Sequence, residues 1–285
     1  MNDEAGKVRT RRVQQAILGL LIASLLVLAS WSGWIDRNAQ DQAHAMLTRA
    51  LVTYAVARSL NGVISVIQET EIAVQPAGVG VKLAPGEILD PVNDLIEQFS
   101  WVMLASAASL GIQRLLLEIS QWSGMTLVLA VSAMLWLLAL AGASGRSGRV
   151  WLGRVLLLAV FLRFSAPLVM LASDAIYQLF LDPVYTSASA QIGQTQSELT
   201  RLHEQASADV EEENSEEGIL AWLGRTSDQF RFTDRIERYQ ALFTRLTENV
   251  IELVAVFVLQ TILLPLLFLW LLLRIWRQLL RLSSE

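Results

Sequence analysis

The sequence predicts a mainly α, multi-pass membrane protein: four transmembrane helices and a helical outer domain with a coiled-coil-like hairpin and a small β-hairpin or loop. Three observations lead there. Of 285 residues, 53% are apolar and only 17% are charged, whereas about a quarter of a soluble domain is charged. The apolar residues gather in charge-free runs long enough to cross a bilayer, which takes about 20 residues. The charges are also sorted by sign along the chain, as a membrane topology with basic cytoplasmic loops requires.

In chain order, residues 1–12 form a cytoplasmic tail carrying Lys7, Arg9, Arg11 and Arg12, and 13–35 form the first span. An uncleaved anchor is expected rather than a signal peptide. The apolar run continues through Trp31, Trp34 and Ile35, and Asp3 and Glu4 are foreign to a signal n-region. Residues 36–121 follow as an outer segment. Its first helix is marked by Met46, Leu47, Leu51, Tyr54, Leu60, Ile64 and Ile67, mostly at three- and four-residue steps. Residues 72–86, punctuated by Gly and Pro, read as a β-like loop. Asp90-Pro91 then restarts a hydrophobic helix over 91–118, with Asp as cap and Pro in the first turn.

Spans two and three cover 122–144 and 150–173, joined by a cytoplasmic turn at 145–149. Residues 174–249 form an outer helical hairpin whose tip, Asp209 to Gly218, is acidic. The fourth span is 250–273, and 274–285 form a second cytoplasmic tail. The apolar stretch Phe99–Gln113 is short for a span. If it does not cross, the inner side holds ten basic residues against three acids, and the outer side eleven against twenty-three. If it crosses, the arginines of 146–154 and of the tail move outside, against the positive-inside rule. It is therefore expected to pack in the outer domain. Trp31, Trp34 and Trp122 would mark the outer boundary, Trp151 and Trp276 the inner one.

Three residue groups stand out. Arg163, Gln260, Glu252 and Asp174 are ionisable or polar residues in or beside spans three and four, where such groups are costly and hence candidates for a polar contact or pathway. A hydrogen bond between Arg163 and Gln260 is expected if those spans are neighbours. Pro167 and Pro265 break the same two helices and free backbone carbonyls. In the hairpin, Phe232, Ile236, Tyr239, Phe243 and Leu246 alternate four- and three-residue steps, an interaction stripe of heptad type. Ala105, Ala107, Ser109 and Gly111 are small residues at four-residue spacing, suited to close helix packing.

Several function classes are disfavoured. Acids outnumber bases, twenty-seven to twenty-two, which argues against a nucleic-acid binder. With no cysteine and two distant histidines, His44 and His203, no thiolate chemistry and little basis for a histidine metal site remain. The acidic tip lacks the ligand spacing of an EF-hand. No nucleophile elbow, phosphate-binding loop or zinc-protease motif occurs, so no enzyme, cofactor or metal is expected. The expectation is a bacterial inner-membrane protein with both termini cytoplasmic. Its periplasmic helical domain would mediate self-association, as a homo-oligomer, or binding of an envelope partner. The alternatives are an oligomeric channel or transport component with a pathway near Arg163, and a membrane sensor.

Overall fold

A computed structural model of the chain describes residues 17, 19–73, 85–143, 145–213 and 220–282. Among these the protein is almost entirely helical, without a strand. The helices are α1 (Gly19–Ser32), α2 (Trp34–Ala73), α3 (Pro85–Gln121), α4 (Ser123–Leu138), α5 (Arg146–Ile176), α6 (Asp182–Glu213), α7 (Leu220–Val258) and α8 (Leu264–Leu282). Short π-helical turns, Tyr177–Leu181 and Leu259–Leu263, lie between α5 and α6 and between α7 and α8. Five helical segments are long and apolar enough to cross a membrane: Trp34–Gln68, Asp90–Gln121, Ser123–Gly142, Ser147–Gln205 and Glu237–Arg281. The apolar helix Gly19–Ser32 is shorter.

Three boundaries differ from the expected ones. The helix expected to restart at Asp90-Pro91 begins at Pro85 and runs through Pro91. Residues 72, 73, 85 and 86 of the expected β-like loop are helical, and the rest of it lies outside the described residues. The first apolar run is also not one helix. It breaks at Gly33, whose φ of +62° is a left-handed value that costs glycine nothing. Both ends of the break are satisfied. The Ser32 hydroxyl donates to the Ala29 carbonyl and accepts from the Trp34 amide, while Arg37 donates to the Ser32 carbonyl at 3.1 Å. Gly142, at φ +110°, makes the break between α4 and α5 inside the stretch 122–144 expected as the second span, and residues 146–149 of the expected turn are already the first turn of α5.

The chain divides into two compact units. The first comprises 1–47, 108–177 and 260–285. Its core lies between α1, α4 and α5: Ala23, Leu129, Ala133, Leu156, Ala159 and Phe164, flanked by Trp136 and Leu137. Small residues let these backbones approach. Trp136 stands against two glycines, with carbons 2.9 Å from where a Cβ of Gly19 would sit and its Nε1 3.2 Å from that of Gly153. The pairs Ser30–Thr126 and Gly19–Trp136 make α1 and α4 antiparallel, and α5 returns alongside α4. Phe161 stacks on Trp276 at 5.6 Å, which fixes α8 against α5.

The second unit comprises 48–107 and 178–259, parts of α2, α3, α6 and α7. Gln68 bonds to Asp90 between α2 and α3, Thr53 and Ser59 reach Tyr185 and Gln196 on α6, and Asn249 reaches Gln191 between α7 and α6. With Gln121–Asp36 between α3 and α2 and Tyr185–Phe257 between α6 and α7, these pairings make α2 parallel to α6 and antiparallel to α3, and α6 antiparallel to α7. Buried residues recur at alternating three- and four-residue steps: Ala50, Thr53, Ala57, Leu60, Ile64 and Ile67 on α2, and Tyr239, Phe243, Leu246, Val250 and Leu253 on α7. That period of 3.5 holds one face of each helix toward a common core.

The α2 stripe corrects the expected one. Leu51, half-exposed, gives way to Ala50, Thr53 and Ala57, because the strict register selects position over hydrophobicity. Likewise Tyr239, Phe243 and Leu246 are core residues rather than an outward interaction stripe, since the other helices of the unit cover that face. The side chains of Phe232 and Ile236 lie outside those described.

Candidate functional site

Arg163 is the largest fully buried side chain among the described residues, 1% exposed on α5. A guanidinium there must find its partners inside the protein or pay a desolvation cost of several kcal/mol, about the scale for an unpaired interior ion. It finds them on α1 and at the start of α2. Nη1 donates to Asp36 Oδ1 at 2.9 Å and Nη2 to Asp36 Oδ2 at 2.5 Å, an end-on bidentate pair. Nε donates to the Ser30 hydroxyl at 2.8 Å and Nη2 also reaches the Ser30 carbonyl at 3.3 Å. Ser30 in turn shares a hydrogen bond with Thr126 of α4 at 3.0 Å. Phe164 lies under the guanidinium at 5.4 Å. One side chain thus ties α5 to α1, α2 and, through Ser30, α4.

Asp36 is placed for this by the break at Gly33. It falls in the first turn of α2, where the helix dipole favours a carboxylate, and the change of direction after Ser32 turns it back toward Arg163. Its backbone carbonyl also accepts from Gln121. The expected bond from Arg163 to Gln260 is not formed. A carboxylate neutralises the charge and accepts two parallel N–H groups, which a neutral amide cannot do.

Gln260 belongs to a second polar layer of the same unit. Pro265 has no N–H to give the carbonyl of Thr261, four residues earlier. That carbonyl accepts instead from the Ser109 hydroxyl at 2.9 Å and from Gln113 Nε2 at 3.0 Å, both on α3. Freed carbonyls were expected at Pro265, and here the partner that repairs one is Ser109, a residue expected only to be small. The other small residues divide: Ala107 is buried, Ala105 is exposed, and Gly111 has open space where a Cβ would be. Ser173, Asp174 and Tyr177 of α5, in the same unit, are buried as well. Asp174, which the sequence would allow to face water, is 4% exposed. Pro167 is buried on the same face of α5. Glu252, by contrast, is exposed on α7 in the other unit.

Arg163 and Asp174 are eleven residues apart, about 16 Å along a helix, so the polar set named from the sequence splits into separate places. Asp36 and Ser30 are the partners of Arg163 that sequence reasoning missed. The signal was available: an acid at the end of an apolar run, two residues past Trp34 and preceded by Ser-Gly. The aromatic markers split as well. Trp276 packs beside Phe161, and Trp151 lies ten residues before Phe161 on α5, about 15 Å away. The two thus sit at different depths along α5.

A third feature is the outer side of α3. Between Glu97 and Arg114 the helix has no charge. Its inner face buries Phe99, Met103, Ala107 and Leu110, while Trp101, Leu104 and Ile112 are exposed. The stretch Phe99–Gln113 is thus apolar on both faces. Among the described residues no cluster of three or more His, Cys, Asp or Glu could hold a metal ion. Comparison with known proteins returned no match to a family model, to a curated protein or to a solved structure.

Proposed function

We propose that this protein is a non-enzymatic component of the bacterial inner membrane, anchored by four spans, with both termini cytoplasmic and a periplasmic helical bundle that binds a second copy or an envelope partner. The spans are those around α1, α4, α5 and the α7–α8 junction. The turn at Arg146 and the arginines at the end of α8 belong to the same ends of antiparallel helices, in keeping with one cytoplasmic side.

The observation that carries the association reading is the set of apolar side chains exposed on the second unit. Large apolar side chains there are exposed on three of its helices: Leu51, Val52 and Val66 on α2, Trp101 and Leu104 on α3, and Ile251 on α7. The turn before α6 adds Leu179 and Phe180. Apolar patches rimmed by polar residues mark interaction surfaces. The heptad stripe of α7 is spent on the core, so contact with a partner falls to these exposed side chains.

The channel reading is weaker. Arg163 is neutralised by Asp36 and enclosed, and a sealed ion pair is a poor lining for a pathway.

The chain has no cysteine, so single introduced cysteines report cleanly. Ser147→Cys should be labelled only from the cytoplasm and Ser197→Cys only from the periplasm. Trp101→Cys or Leu104→Cys should give disulfide-linked dimers or a crosslink to a partner. Labelling of Ser147→Cys from outside would reject the topology, and a clean monomer with no crosslink at either α3 position would reject association through these side chains.

A further inference from the structure

The polar layer at the start of α8 contains two side chains whose hydrogen-bonding atoms the protein itself leaves unmatched. Ser173, 1% exposed, has no partner for its hydroxyl, and Gln260, 3% exposed, has none for Nε2. Both belong to the first unit. The helix register brings them to one depth. Phe161 touches Trp276, and Tyr185 touches Phe257 on the continuations of the same two helices, so α5 and α8 run in opposite directions. Sixteen residues separate Phe161 from Tyr177, and sixteen separate Gln260 from Trp276, so Gln260 and Tyr177 are level. Ser173 lies about one turn, roughly 6 Å, from that level, on the buried side of α5 with Met170, Asp174 and Tyr177.

The backbone is irregular at the same depth on both helices. Tyr177 opens one π-helical turn and Gln260 lies within the other. Such turns insert a residue, displace the carbonyl ladder and recur at functional sites. The Thr261 carbonyl already turns outward to Ser109 and Gln113.

We propose that this layer is an internal hydration site, in which water bound between α5 and the start of α8 accepts from Gln260 Nε2 and bonds to the Ser173 hydroxyl. The chemistry selects the ligand. Gln260 offers a donor, and a serine hydroxyl serves as donor or acceptor; water complements both and is the usual partner of buried polar groups that lack one. An apolar ligand would leave both atoms unmatched. A divalent cation would need a carboxylate or imidazole cluster that the described residues do not contain.

Radiolytic hydroxyl-radical labelling of the full-length protein in lipid nanodiscs tests this, because water bound next to a buried side chain lets radicals form there. Met170 and Tyr177 should be modified despite their burial, while Met46 and Met103, equally buried on the stripes of α2 and α3, stay protected. Gln260→Met, close to isosteric, and Ser173→Ala should each lose the Met170 and Tyr177 signal without changing that of Met46. Protection of Met170 and Tyr177 to the level of Met46 would overturn the proposal, as would a rise in Tm for Gln260→Met, the sign of a dry orphaned amide. Labelling that disappears in sodium but persists in choline would replace water by a monovalent cation.

Discussion

Arg163 on α5 and Asp36 on α2 meet end-on, two parallel hydrogen bonds of 2.9 and 2.5 Å joining a guanidinium that is 1% exposed to a carboxylate only 16% exposed. Removing one partner leaves the other charge buried, which costs about 3–5 kcal/mol, whereas replacing both by apolar residues is near neutral. Asp36→Asn and Arg163→Met should therefore each lower the melting temperature in detergent sharply, with Asp36→Asn toward the smaller loss because Ser30 still holds the guanidinium. The double variant Arg163→Met/Asp36→Leu should recover much of the loss. Additive losses would show that the two residues act independently. The exposed pair Arg114–Glu118, one turn apart on α3, is the contrast: Glu118→Gln should cost about 0.5 kcal/mol or less.

The Thr261 carbonyl has two donors, so their loss should be cooperative. Ser109→Ala leaves Gln113 in place and is expected to cost about 1 kcal/mol. Ser109→Ala/Gln113→Leu removes both of these donors and should exceed the sum of the single losses. Pro265→Ala restores the missing N–H and should make the double variant tolerable. Thermal melts of the four proteins decide the matter; simple additivity would mean that the carbonyl is satisfied some other way.

Two glycines should respond in opposite directions to alanine. Neither Gly33 nor Gly62 has an atom within 4 Å of where a Cβ would sit, so sterics with neighbours drop out. Gly33 has φ +62°, and Gly33→Ala should destabilise by about 1–2 kcal/mol through backbone strain. Gly62 is an interior helical residue, and Gly62→Ala should stabilise by about 0.5–1 kcal/mol. Equal effects would argue that the α1–α2 break is absent in solution.

Trp136 leaves no room at Gly19. A methyl there would stand 2.9 Å from the indole, so Gly19→Val should loosen α1 from α4 and lower the melting temperature. Trp136→Phe, harmful alone because it opens a cavity, should relieve part of the Gly19→Val loss. Absence of any relief would show that the two residues are not in contact.

Periodicity and charge alone determined a great deal: an almost wholly helical chain, apolar helices of membrane-crossing length, the 3.5-residue rhythm of α7 and the prominence of Arg163. These are properties of a helix and its solvent, written in local spacing. Which atoms meet was decided only in three dimensions. The α2 stripe passes through Ala50 and Ala57 instead of Leu51, because packing rewards register with neighbouring helices more than the size of any one side chain. Asp36 reaches Arg163 because glycine at position 33 turns the chain, and the partner is 127 residues distant. Ser109 serves a carbonyl freed by a proline on another helix. In each case the local signal named a group in need of a partner, and tertiary structure chose the partner, since desolvation inside the protein penalises every polar atom that none reaches.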